Sequence, residues 1–145
     1  MAGSQTVIAK NKAVNGERSF WVRFNAATLE FYIYYNFAGS TSSITATGFA
    51  ASTWYFVACS YKYVTNGTSI MRIYINGNIS SSSTVAYGPV YISPTPVTIG
   101  SDLSAAGASQ NQFKGGATSG RLDEVRYYNR YLDANEVAAI YASQL

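Results

Sequence analysis

The sequence predicts an all-β sandwich closed at its C-terminus by one short helix, and three observations carry the prediction. The first is composition. Thirteen Tyr and seven Phe stand beside abundant Val, Ile and Thr, the residues that fit a pleated, half-buried surface. Only 12% of the residues are charged, against roughly 25% in an average globular domain, and helix formers are scarce. The second is rhythm: short alternating runs are separated by Gly, Asn and Ser at close intervals, as in antiparallel sandwiches and barrels. The third concerns the C-terminus. Asp133 followed by Glu136 forms a capping box, with Leu132 and Val137 placed to make the hydrophobic staple. A helix from Ala134 to Ala142 comes next, and its Val137, Ile140 and Tyr141 share one face that docks on the sandwich.

Along the chain, Thr6 to Ala9 and Ser19 to Asn25 flank Asn15-Gly16, a pair that accepts positive φ, and read as a hairpin. Side chains alternate along a strand, so Phe20, Val22 and Phe24 oppose Trp21 and Arg23. Thr28 to Asn36 likewise sets Leu29, Phe31, Ile33 and Tyr35 against Glu30, Tyr32 and Tyr34. Trp54 to Tyr63 is apolar on both faces, as a central strand covered on both sides is, and Asn66-Gly67 turns it into Ser69 to Asn76. Asn76-Gly77 starts another turn, and Ser80 to Ser83 reads as a polar loop. Further strands are expected at Thr84 to Tyr87, Val97 to Ile99 and Arg121 to Tyr128, with a long surface loop from Ser101 to Gly120 around a short strand near Phe113.

Length and charge bound the function. At 145 residues the chain reads as a single domain over 1–145 with no internal repeat. Ten Lys and Arg against seven Asp and Glu give a net charge of +3, and the basic residues are scattered, without the cluster that nucleic-acid binding needs. No run approaches the roughly 18 apolar residues of a membrane span, and the first residues show no secretion signal. The lone Cys59 lies in an apolar run, and with no His in the chain nothing is placed to activate it. Absence of His also removes serine-type triads and most zinc sites.

An ordered series of segments carries a family resemblance. It runs through Trp54-Tyr55-Phe56-Val57-Ala58, Met71-Arg72-Ile73-Tyr74-Ile75-Asn76-Gly77, Val97-Thr98-Ile99-Gly100 and Gly120-Arg121-Leu122-Asp123-Glu124-Val125-Arg126-Tyr127-Tyr128-Asn129, with Leu132 and Glu136 completing it. Over about two-thirds of its length the chain resembles the concanavalin A-like lectin/glucanase superfamily, in particular its laminin G-like and pentraxin-type jelly rolls. The resemblance implies a two-sheet antiparallel β-sandwich, with Trp54 as a core anchor. Such domains usually begin with further strands beside the final one, and almost nothing precedes Val7 here. Either those initial strands are missing from this sequence or a neighbouring chain or domain supplies one, because an uncovered sheet edge invites pairing.

The resemblance also raises catalysis and metal binding. A glycosidase needs two carboxylates across the scissile bond, whereas Asp123 and Glu124 are adjacent and point to opposite faces, and the other acidic residues stand alone or serve the helix cap. No enzyme is expected. Calcium, frequent in the superfamily, has Asp123 as its best candidate ligand and Asp102 as a weaker partner, the alternative being that Asp123 simply bonds nearby turns. For ligand binding, the residues offer an outward face of Trp21, Arg23, Glu30, Tyr32, Tyr34, Arg72 and Tyr74, where rings can stack on a sugar while polar neighbours bond its hydroxyls. The same face also suits a partner subunit. Two functions are consistent with these features: a non-catalytic carbohydrate-binding or adhesion module of an extracellular or particle-surface protein, and a self-associating structural component such as a viral or phage surface protein.

Overall fold

Alternation decides which way each strand faces, and in the computed structural model, which describes residues 4–65, 68–113 and 120–144, it turns Phe20, Val22, Leu29, Phe31 and Ile33 inward. These side chains belong to an antiparallel meander of β1 (Ser4–Asn11), β2 (Arg18–Asn25), β3 (Thr28–Tyr34) and β4 (Thr41–Ala46). A second antiparallel sheet contains β5 (Val57–Lys62), β6 (Ser69–Ile75) and β7 (Asn78–Val85), with β6 at its centre. The chain then returns to the first sheet. There β8 (Thr98–Ile99) pairs with β1, giving the order β4-β3-β2-β1-β8. A small hairpin of β9 (Asp102–Leu103) and β10 (Ser109–Gln110) and the helix α1 (Ala134–Ala142) complete the elements.

The two sheets meet through one core. Phe20, Val22, Leu29, Phe31, Ile33, Ile44 and Ala46 of the first sheet pack with Met71 and Ile73 of the second, and each large side chain buried there stabilises the fold by about 1.5–3 kcal/mol. The expected two-sheet sandwich is therefore present. A smaller core lies on the outer side of β6, where Tyr74, Leu132 and Val137 are packed together under α1.

Local chemistry explains the best-placed elements. Asp133 Oδ1 accepts from the Glu136 amide at 2.9 Å while Glu136 Oε2 accepts from the Asp133 amide at 3.0 Å, so the capping box fixes the helix start. Asn76 and Gly77 both hold positive φ, +50° and +79°, in the two-residue turn that joins β6 to β7. A Cβ on Gly77 would lie 2.8 Å from the Tyr141 ring, so this turn sits directly against the helix.

Several expectations are corrected. Ser80 to Ser83 lies inside β7, because that strand is an edge with a solvated side that tolerates a run of hydroxyls. β5 is an edge strand rather than a central one, although Cys59 packs against the main core and Ala58 lies under the helix cluster. Trp54 precedes β5 and is 65% exposed, so it anchors no core. Phe113 belongs to no strand, and its amide donates to the Gly100 carbonyl at 2.7 Å. Arg121 to Tyr128 also forms none: among the described residues no ladder engages it, and Glu124 sits at φ +48°, outside extended geometry. The Asn66-Gly67 turn and part of the long loop, 114–119, lie outside the described residues.

Candidate functional site

The hairpin register builds the site. β2 and β3 pair so that Trp21 faces Tyr32 and Arg23 faces Glu30 across the ladder, all on the outer side of the first sheet. The Arg23 Nε donates to Glu30 Oε2 at 2.6 Å, and its guanidinium lies 4.1 Å from the Trp21 ring centroid. Such a cation over an aromatic face is worth about 0.5–2 kcal/mol and fixes both groups. Trp21 in turn meets the Tyr32 ring edge-on at 5.1 Å and the Tyr34 ring at 6.3 Å.

Beside this array lies a cleft of about 200 Å³, lined by Trp21, Arg23, Tyr34, Arg18, Asn11, Gln110 and Asn111. The Arg18 guanidinium stands 5.6 Å from the centre of the Tyr34 ring. Burial raises the Tyr34 phenol above its ordinary value of 10.0, and the nearby Arg18 and Arg23 charges only partly oppose it. Tyr34 therefore remains a neutral hydroxyl at neutral pH. Two enclosed polar atoms here, Trp21 Nε1 and Asn11 Oδ1, have no hydrogen-bond partner among the described residues. Leaving such a group unsatisfied costs about 1–3 kcal/mol.

Asp102 organises the far wall. Its carboxylate is fully buried and accepts from the side-chain amides of Asn11 at 3.3 Å, Asn111 at 3.1 and 3.3 Å, and Gln110 at 3.5 Å. Asn111 holds positive φ, +47°, which Asn tolerates better than most residues. Its carbonyl also receives the Thr6 amide at 2.7 Å, tying the loop to β1. The Asp102 oxygens are thus met by N–H donors, whereas calcium takes oxygen ligands. Asp123 is exposed, and its Oδ1 accepts from the Glu124 amide at 2.8 Å.

The face expected from the sequence is divided. Trp21, Arg23, Tyr32 and Tyr34 stand together on the first sheet, but Arg72 and Tyr74 belong to β6 of the second sheet. Alternation puts both groups outward, and in a sandwich the two outward sides point away from each other. Tyr74 is fully buried under the helix cluster, and Arg72 donates to the Tyr131 hydroxyl at 2.7 Å. Neither lines the cleft. Conversely, Arg18 and Asn11 complete the site and are brought together by the register Asn11↔Arg18 across the Asn15-Gly16 turn. Gln110 and Asn111 carry no such signal, being contributed by the long loop.

Fold and cleft together define a two-sheet antiparallel β-sandwich with an aromatic, polar-walled depression on one outer face. The family profile described as the concanavalin A-like lectin/glucanases superfamily, laminin G-like, matches residues 2–138, and the chain belongs to that family. Among solved structures, the chain is similar to an S-layer domain-containing protein (residues 221–444) from Clostridium thermocellum, with 18% identity and a TM-score of 0.44. That match covers 97% of this chain and 64% of the other. No curated protein matches the chain.

Proposed function

We propose that this domain is a non-catalytic carbohydrate-binding module whose sugar site is the cleft at Trp21 and Tyr34. The observation that carries the reading is the pairing of aromatic side chains, Trp21 and Tyr34, with polar ones, Asn11, Arg18, Gln110 and Asn111, around one depression. A sugar ring stacks on an aromatic face while its hydroxyls bond the guanidinium and amide groups that line the cleft. The cleft volume suits roughly one monosaccharide unit, with Tyr32 beside it for a further contact. Membership of a lectin and glucanase superfamily supports the substrate class, and the reading assigns the module to an extracellular or particle-surface protein.

Binding without catalysis fits the carboxylates. None of the described residues lining the cleft is acidic. Glu30 is held by Arg23 and by Asn25 at 3.2 Å, and Asp102 by its amides. A glycan array reads the proposal directly: wild type binds a defined set of glycans, and Trp21→Ala and Arg18→Ala each weaken that binding at least tenfold. Silence across the array, or binding indifferent to both substitutions, overturns it, as does hydrolysis of any β-glucan.

Calcium binding is a separate proposal and rests on Asp123, because Asp102 already has its N–H donors. Calcium added at about 1 mM then raises the melting temperature of wild type but not of Asp123→Asn.

A further inference from the structure

Among the described residues, every contact between two tyrosine rings converges on Tyr35, the residue that follows β3. Its ring stacks on Tyr87, just past β7, with centroids 4.5 Å apart and planes 15° from parallel, whereas Tyr61 of β5 lies at 6.1 Å and 48°. Hydrogen bonds hold the group in place. The Tyr61 hydroxyl donates to the Gly88 carbonyl at 2.5 Å, and the Ser69 hydroxyl donates to the Tyr87 carbonyl at 2.7 Å. Tyr35 directs its own hydroxyl toward the Met71 sulfur, 4.0 Å away. Burial chiefly, with smaller contributions from the Tyr61 and Tyr87 phenols, pushes the Tyr35 phenol up to about 12. The Tyr35 and Tyr87 hydroxyls thus share one neighbourhood at the end of the sandwich.

We propose that Tyr35 and Tyr87 are a cross-linking pair, joined by a carbon–carbon bond between the ring positions next to their hydroxyls when the protein meets a one-electron oxidant such as a peroxidase with hydrogen peroxide. Tyr87 is 44% exposed and meets the oxidant first, losing an electron and a proton. The less exposed Tyr35 then hands a hydrogen atom to the Tyr87 radical, and Tyr87 is oxidised a second time. The two phenoxyl radicals couple at those ring carbons, and the hydrogens there move to the oxygens to restore both phenols. Two hydrogen atoms leave in all, and one peroxide is reduced to two waters. Proximity decides the partner, because a ring already held in contact reacts as if at a concentration far above that of any second chain. The bond ties the end of β3 in the first sheet to the end of β7 in the second, which no disulfide can do in a chain with one cysteine. It closes a loop of about 50 residues, and on chain entropy alone raises the melting temperature by roughly 10 °C.

The test is oxidation of the whole chain, kept dilute, with peroxidase and hydrogen peroxide, read by intact mass, fluorescence and fragment mapping. Wild type yields a monomer lighter by two hydrogen atoms, with the blue emission of dityrosine and a bond mapped between Tyr35 and Tyr87, and this product melts roughly 10 °C higher. Tyr35→Phe and Tyr87→Phe keep their rings, so before oxidation they melt within about 4 °C of wild type, yet each lowers the yield of the lighter monomer at least tenfold. Tyr61→Phe retains it. A wild type that gives only joined copies of the chain overturns the inference, as does a cross-linked monomer that persists in Tyr35→Phe or Tyr87→Phe. A bond mapped to another pair, or a cross-linked monomer that melts no higher than the untreated protein, overturns it too.

Discussion

The two outer faces of the sandwich use the same side-chain types to opposite ends. On the first sheet Arg23 and Tyr34 line a cleft with Tyr32 beside it, Tyr34 itself keeping only 5% exposure. On the second sheet Arg72 and Tyr74 are covered: Tyr74 has no exposure, and Arg72 bonds Tyr131. The difference comes from the elements laid over each sheet. Leu132 and α1 close over β6, while the β9–β10 hairpin stops at the rim of the first sheet and supplies Gln110 and Asn111 as a wall. Residue type therefore does not decide which face stays open; the covering element does.

The contrast is broken most severely at Tyr74. Replacing this ring with Ala leaves a cavity under the helix, and chemical denaturation should show a loss of about 3–5 kcal/mol. Next comes the interior shared by both faces. Burial pushes the Cys59 thiol up to about 12 from an ordinary 9.0. Its folded pKa is raised, so its contribution is complete below about pH 9 and declines as pH climbs toward 12, by about 1.4 kcal/mol per pH unit. Urea titrations between pH 9 and 11 should show that steeper decline in wild type than in Cys59→Ala. The cover itself responds more mildly. Asp133→Ala removes the cap and lowers stability by about 1 kcal/mol, visible as a small drop in melting temperature. Tyr32→Ala, on the open face, costs about 1 kcal/mol or less, because the ring loses chiefly its edge contact with Trp21. If Tyr32→Ala matched Tyr74→Ala, the first face would be structural and the comparison would fail.

Much of this arrangement is legible in the residues alone. The helix is, because its cap is local: Asp133 and Glu136 satisfy each other across three residues. The parity of β2 and β3 is too, because one buried side imposes a period of two. Edge strands are harder to see. β4 buries only Ile44 and Ala46, too little apolar pattern to announce a strand, and β7, exposed along most of its length, resembles a loop in its serine run. Parity also fails between sheets: it shows that Tyr32 and Tyr74 point outward but not that their strands lie in different layers. Trp54 misleads through its size, since a large apolar ring outside a strand has no sheet to fill. The cleft wall depends on contacts between positions far apart in the chain, Asn11 and Asp102 among them, which no local pattern encodes.

The placement of the two tryptophans equips the molecule with a built-in optical gauge. Trp21 is half-buried beside a guanidinium at the cleft, and Trp54 stands in solvent. Their emission differs in colour and in access to a dissolved quencher such as iodide. With Trp54 changed to Phe, the remaining fluorescence comes from the cleft alone, so occupancy there is readable as a change in intensity, without any attached dye.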